Sequence, residues 1–242
     1  MNQYRSILVA LATIFILGLT SLLFKVAFRE PPVTPRVTIT IAEGLTVPEI
    51  NEILVEKGVL VGELLPQELE GHLFPDTYEF FLGSSLDVVK EKFSLNFNSK
   101  IRELGLEALS EDELKEIIII ASMIEAEVPH SDERRIVSGI IKKRLSAGIP
   151  LQLDASLCYV KGDPCLPITD DDKKIDSLYN TYLHRGLTPG PIGNPGLDAI
   201  EASINPEESP YLYYISDPET GRTIFASSLD EHNSNVVKYL DY

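Results

Sequence analysis

EDELKEIIIIASMIEAEVP, Glu111 to Pro129, decides how this chain folds. Ser110 and Glu113 form an S-x-x-E capping box, each side chain satisfying a free backbone N–H of a first helical turn. From Ile117 to Ile124 there is no charge, so the middle of the predicted helix has no solvent-facing side. Pro129 ends it, because proline cannot donate a hydrogen bond and clashes with the preceding turn. Glu125 thus lies where a buried rod emerges, and desolvation there favours the neutral acid. A carboxylic acid still protonated near neutral pH is what general-acid cleavage of an acetal needs. Glu127, two positions on, points roughly 200° away, so the two cannot act as a pair from this helix. The plainer alternative is that both glutamates solvate a fraying helix end.

Outward from this helix, 242 residues of ordinary apolar content suffice for one or two compact domains. A formal net charge of −16 with no Lys/Arg-rich run argues against a nucleic-acid partner. The histidines and cysteines show no HExxH and no paired CxxC, so neither a metal nor another cofactor is expected.

Ser6 to Phe24 is charge-free and apolar, bounded by Arg5 and Lys25. It is long enough to span a hydrocarbon core of about 30 Å. The following residues offer no A-x-A cleavage site, which favours an uncleaved anchor over a signal peptide. Cys158 and Cys165 flank a turn-like segment; they are read either as a disulfide, common only in oxidising compartments, or as two free thiols. With the anchor, the disulfide favours a body outside the cytoplasmic membrane. Residues 1–29 are the anchor and flanks, and 30–35 (EPPVTP) a stiff linker.

Arg36–Ile41 reads as a strand, and Thr46 to Glu49 as a second capping box opening a helix that Lys57-Gly58 stops. This small lobe occupies 36–68. EGHLFPDTYEF, Glu70 to Phe80, concentrates turn residues and aromatics, which makes Asp76 and Tyr78 candidates for binding; the alternative is a structural turn burying Phe74 and Tyr78. Leu86, Val89, Phe93, Phe97 and Ile101 mark a long amphipathic helix. Ser131 is expected to cap another, with Lys142, Lys143 and Arg144 on its solvated face. Leu151–Asp154 reads as a short strand; Asp154 is a second active-site carboxylate, an orienting group or a cap.

YNTYLHRGLTPGPIGNPG, Tyr179 to Gly196, has four glycines and three prolines and must be a fixed irregular loop. Its Asn180, Tyr182 and Asn194 are candidates to line a sugar-sized cleft. A short helix over Leu197–Ile204, a hairpin with its turn at Asp217–Gly221, and a last short helix opened by Glu231-His232-Asn233 complete the chain.

Five blocks coincide in order: LEGHLFPDTYEF (69–80), IIASMIEAE (119–127), RLSAGIPLQLDASLCY (144–159), YNTYLHRGLTPGPIGNPGLDAI (179–200) and YLYYISDPETGRTIFASSLDEHN (211–233). Together they resemble the endolytic murein transglycosylase, or YceG-like, family from about Thr38 to the C-terminus. The resemblance implies an α+β fold: an N-terminal transmembrane helix, a small LysM-like strand–helix lobe, and a mixed α+β catalytic domain (69–242) built on the buried helix. It implies cleavage of the MurNAc-β-1,4-GlcNAc bond in nascent peptidoglycan, with the muramic 6-hydroxyl attacking its own anomeric carbon to leave a 1,6-anhydro end. It puts the catalytic role on Glu125, the first glutamate of Ala121-Ser-Met-Ile-Glu125, as acid and then base. Glu127, Asn180, Tyr182, Asn194, Glu231, His232 and Asn233 follow as supporting or substrate contacts. It also implies contact with penicillin-binding proteins of the elongation complex. The family often carries two strand–helix units before the LFPDTY block, where this chain keeps one. The competing functions are a hydrolase using Glu125 as acid and Asp154 as base, or a non-catalytic glycan-binding scaffold.

Overall fold

The computed structural model describes residues 15, 17–20, 24, 35–162, 165 and 167–240. The chain forms two units, Met1–Pro35 and Arg36–Tyr242. In the first, residues 15, 17–20 and 24 are helical. The expected anchor over Ser6–Phe24 and the linker 30–35 fall for the most part outside the described residues. Among the described residues no helix is long and apolar enough to cross a membrane.

The second unit is α+β and holds two hydrophobic cores. One gathers β1 (Arg36–Thr40), α1 (Val47–Glu56), β2 (Thr77–Phe81) and α2 (Leu86–Glu103). β1 and β2 pair antiparallel, Arg36 opposite Phe81 and Thr40 opposite Thr77. The alternation of β1 and β2 turns Ile39, Tyr78 and Phe80 inward, against Ile50 and Leu54 of α1 and Val89 and Phe93 of α2. The Thr46–Glu49 capping box forms as the sequence predicts. The strand pairing also means that the expected lobe over 36–68 draws its second strand and its long helix from 77–103, across the boundary at residue 68.

The other core surrounds α3 (Glu111–Glu127). Ser110 and Glu113 form their capping box, the Glu113 Oε2 accepting the Ser110 N–H at 2.9 Å. From Ile118 to Ile124 every residue is at most 4% exposed, so the helix has no water-facing side over this stretch. It stops at Glu127 because Val128, preceding Pro129, takes an extended backbone. α4 (Ser131–Ser146) and α6 (Leu197–Ile204) pack against it through Val137, Ile141, Ala199 and Ile200. Between α4 and α6 lies α5 (Asp154–Lys161), and β3 (Tyr213–Ser216) and β4 (Thr223–Ala226) make a hairpin followed by α7 (Leu229–Tyr239).

Three local expectations change. Leu151–Asp154 is not a strand: Gln152 has φ +53°, which breaks extended backbone, and Asp154 opens α5. Ser131 lies inside α4, with His130 at the cap position and no side-chain cap bond. The basic cluster is not a solvated face. Arg144 is 8% exposed, donating from Nε to Leu212 O and from Nη1 to Leu151 O. Lys143 Nζ donates to the carbonyls of Ser209 and Tyr211. Carbonyl groups of the segments on either side claim these cations, a pairing that helix periodicity does not reveal.

Residues 178–196 form turns without helix or strand, as their glycines and prolines require. The loop is anchored on α3, where Ser122 Oγ accepts the Ile192 N–H at 3.0 Å. It is anchored on the small core too, since Gly44 N–H donates to Asn194 O and Asn194 N–H to Leu45 O. A Cβ on Gly193 would stand 2.5 Å from the Gly44 carbonyl oxygen. Backbone cannot step aside there without parting this seam. Gly193→Ala is therefore expected to cost about 1–3 kcal/mol and to lower the thermal midpoint by roughly 5 °C, read by circular dichroism.

Candidate active site

α3 delivers two carboxylates at its C-terminal end, and they diverge. Glu125 is not unpaired in apolar surroundings, as the sequence suggests. Its side chain, 7% exposed, is gripped by Arg134 of α4, with Nη2 to Oε1 at 2.6 Å and Nη1 to Oε2 at 3.3 Å. The Gly196 N–H adds a third bond to Oε2 at 3.0 Å. Arg134 also binds Asp198 Oδ2 at 3.2 Å and the Val128 carbonyl at 3.0 Å. Glu43 approaches from the small lobe, its carboxyl raised by burial and then by the Glu125 charge. Three carboxylates thus gather around one guanidinium.

Glu127 faces the other way, into a cleft of about 1790 Å³, larger than the usual ~300–1,000 Å³ of a small-ligand pocket and suited to a polymer. The residues lining this cleft include Glu127 and exclude Glu125. Glu127 Oε1 accepts the Ala155 N–H at the start of α5 at 3.0 Å, and Oε2 accepts the Tyr214 hydroxyl of β3 at 3.4 Å. Burial pushes its carboxyl up to about 7, with the nearby Asp154 charge adding to the rise and the two hydrogen bonds opposing it. A carboxyl in that range is half protonated at neutral pH, the condition for an acid that must also act as a base.

Asp154 lines the same cleft and accepts the Tyr182 hydroxyl at 2.5 Å. Burial raises that phenol, and the Asp154 bond holds its proton further. Tyr214 is raised by burial and then by Glu127, so both tyrosines stay neutral donors. Arg144 also lines the cleft, and burial lowers its hold on its proton while the nearby Tyr214, Tyr213 and Tyr182 oppose that. His232 also lines the cleft, its ring 5.3 Å from that of Tyr213, and burial lowers its affinity for a proton.

Other sequence candidates lie elsewhere. Tyr78 is 4% exposed, donates to Phe74 O at 2.5 Å and is pushed up to about 12 by burial; it belongs to the small core. Asp76 caps its own turn through the Thr77 N–H and accepts from Asn96. Asn180 is fully buried and braces its loop, Nδ2 donating to the carbonyls of Lys173 and Ile175. Asn194, also fully buried, accepts the Leu73 N–H and donates to Leu45 O and Glu70 Oε1. Glu231 accepts the Ser227 N–H and hydroxyl at the start of α7, and Asn233 is exposed on that helix. Cys158 and Cys165 are joined as a disulfide, Cα–Cα 5.1 Å, with Cys158 on the cleft wall.

Sequence reasoning missed Tyr214, Arg144 and Glu70. Glu70 is 5% exposed and bound by the Val47 N–H, Asn194, Gln67 and Tyr159, and burial raises its carboxyl to about 7. Its signal lay in the position of an acid immediately before Gly71, whose φ of +82° turns the chain back into the core.

A family model described as the YceG-like family matches residues 21–238. An endolytic murein transglycosylase of Streptococcus pneumoniae (strain ATCC BAA-255 / R6) is 33% identical over 186 residues, 72% of this chain and 32% of the relative. One of Bacillus subtilis (strain 168) is 34% identical over 174 residues, 71% of this chain and 48% of the relative. The chain thus spans a third to a half of the length of these curated relatives. Among solved structures, a yceG-like protein of Listeria monocytogenes is similar with a TM-score of 0.68 at 26% identity, over 84% of this chain and 76% of that one.

Proposed function

The chain belongs to the YceG-like family, and from that premise we propose that it is an endolytic lytic transglycosylase of peptidoglycan glycan strands with Glu127 as its proton carrier. The observation that carries the assignment is the Glu127 carboxyl, raised to about 7 and facing a polymer-sized cleft. The relatives that bear this activity in their names support the substrate class.

Protonated Glu127 donates to the glycosidic oxygen between MurNAc and GlcNAc, and the C1–O4 bond breaks as an oxocarbenium-like centre forms. The Glu127 carboxylate then takes the proton of the muramic 6-hydroxyl as that oxygen bonds to C1. No water is consumed, a 1,6-anhydro ring closes, and Glu127 ends protonated as it began. The Ala155 N–H and the Tyr214 hydroxyl steady the carboxylate during the step. Asp154, held by Tyr182, places a negative charge in the same cleft and favours the cationic centre. In this reading Glu125 secures the end of α3 through Arg134 instead of touching substrate. The apolar run Ser6–Phe24 anchors the chain in the cytoplasmic membrane, and the Cys158–Cys165 disulfide favours a catalytic body on its outer, oxidising side. The resemblance adds penicillin-binding synthases as partners.

Mass spectrometry of products from uncrosslinked glycan strands tests the reaction. Internal 1,6-anhydro ends are expected. Reducing ends would instead establish a hydrolase, with Asp154 as the base that activates water, and would end the transglycosylase reading.

A further inference from the structure

Gln152 is the single non-glycine residue with positive φ among the described residues, at +53°. Left-handed backbone costs an ordinary L-residue on the order of 1 kcal/mol, and glycine or asparagine is the usual occupant. Its neighbours leave no slack. Leu151 and Leu153 are 0% and 2% exposed. Arg144 Nη1 holds the Leu151 carbonyl at 2.6 Å, Thr181 O accepts the Gln152 N–H at 3.1 Å, and Thr181 Oγ1 accepts the Leu153 N–H at 2.9 Å. The side chain is exposed, lines the Glu127 cleft, and has no hydrogen-bond partner among the described residues. A free carboxamide is therefore displayed into the cleft from rigid, strained backbone, three residues before the amide that binds Glu127. Strain kept at such a place is characteristic of sites where geometry serves a ligand.

We propose that the Gln152 carboxamide binds the 2-acetamido group of a sugar beside the scissile bond, a specificity contact that rests on the transglycosylase reading. Its N–H and C=O complement the C=O and N–H of a secondary amide as a matched donor–acceptor pair. Hydroxyl groups alone offer no such pairing, so the contact selects N-acetylated over de-N-acetylated glycan.

The test compares the full-length chain carrying Glu127→Gln with and without Gln152→Gly, measuring equilibrium binding to uncrosslinked N-acetylated strands and to the same strands chemically de-N-acetylated. Glycine accepts the left-handed backbone freely, so the variant should melt at or above the parent temperature. It should bind N-acetylated strands about 10-fold more weakly, the size of one lost hydrogen-bonding contact. De-N-acetylation should weaken the parent by a similar factor and leave the glycine variant unchanged. In the Glu127 background, Gln152→Gly should lower kcat/KM about 10-fold, mostly through KM; Gln152→Asn, which tolerates the backbone but reaches less far, should fall between. Equal binding with and without Gln152, or a parent indifferent to de-N-acetylation, would overturn the proposal. Release of reducing ends by the wild-type enzyme would defeat the transglycosylase reading alone, since the binding comparison decides Gln152 independently.

Discussion

Glu127→Gln is expected to reduce glycan cleavage about 10²–10⁴-fold, the usual worth of a positioned acid–base group, while making the protein more stable above neutral pH. Glutamine is nearly the same shape. Its carbonyl oxygen still accepts the Ala155 N–H, and its amide faces the Tyr214 hydroxyl, which can accept as well as donate. What disappears is the ionisation. The Glu127 carboxyl rises from 4.5 in the open chain to about 7 when folded. Between those values the folded protein holds a proton that the unfolded chain has released, so stability falls as pH rises through this window. The full deficit, about 3 kcal/mol as an upper figure, is present above pH ~7 and absent below pH ~4.5. Thermal melts of both proteins from about pH 5 to pH 8 should therefore diverge, the wild type declining more steeply than the variant. The wild type and the variant share the same contribution from Glu70, whose carboxyl is also raised to about 7 by burial, so the difference between them isolates Glu127. Wild-type cleavage by Glu127→Gln would sink the assignment and return the role to Glu125.

The second large effect is structural. Arg134→Ala should lower stability by about 3–5 kcal/mol, the cost of leaving a buried charge without its partner, which for a chain of this size is roughly 10 °C in the thermal midpoint. Glu125 would keep only the Gly196 N–H, beside the like charges of Glu43 and Asp198. The Val128 carbonyl, which caps the exit from α3, would lose its donor as well. Glu125→Gln is milder, because glutamine still accepts the Gly196 N–H and Arg134 keeps Asp198. That variant should melt lower than the wild type yet cleave glycan at close to the wild-type rate. Loss of cleavage with an unchanged midpoint would show instead that Glu125 takes part in the chemistry.

Much of this arrangement is legible in local sequence. Ser110 and Glu113 announce the start of α3, the uncharged run Ile117–Ile124 its burial, and Val128-Pro129 its end, because capping and steric exclusion act within a few residues. The glycines and prolines of 179–196 exclude regular structure for the same reason. Gln152 was illegible: nothing in Leu-Gln-Leu signals left-handed backbone, which is imposed by Arg144 and Thr181 from outside the segment. Arg144 itself, in a run of three cations, resembles a surface residue until Leu212 and Leu151 turn their carbonyls to it.

Helical phase settles that Glu125 and Glu127 point apart, and it is silent on which side is open. That choice belongs to tertiary structure. Arg134 and Gly196 close around Glu125, whereas Ala155 and Tyr214 frame Glu127 at the edge of the cleft. The partners lie between 9 and 87 residues away in sequence, beyond the reach of any local rule. Local sequence dictates a buried helix ending in two divergent acids; packing decides which acid is paired with a cation and which is desolvated without one, and that desolvation raises the Glu127 carboxyl to about 7.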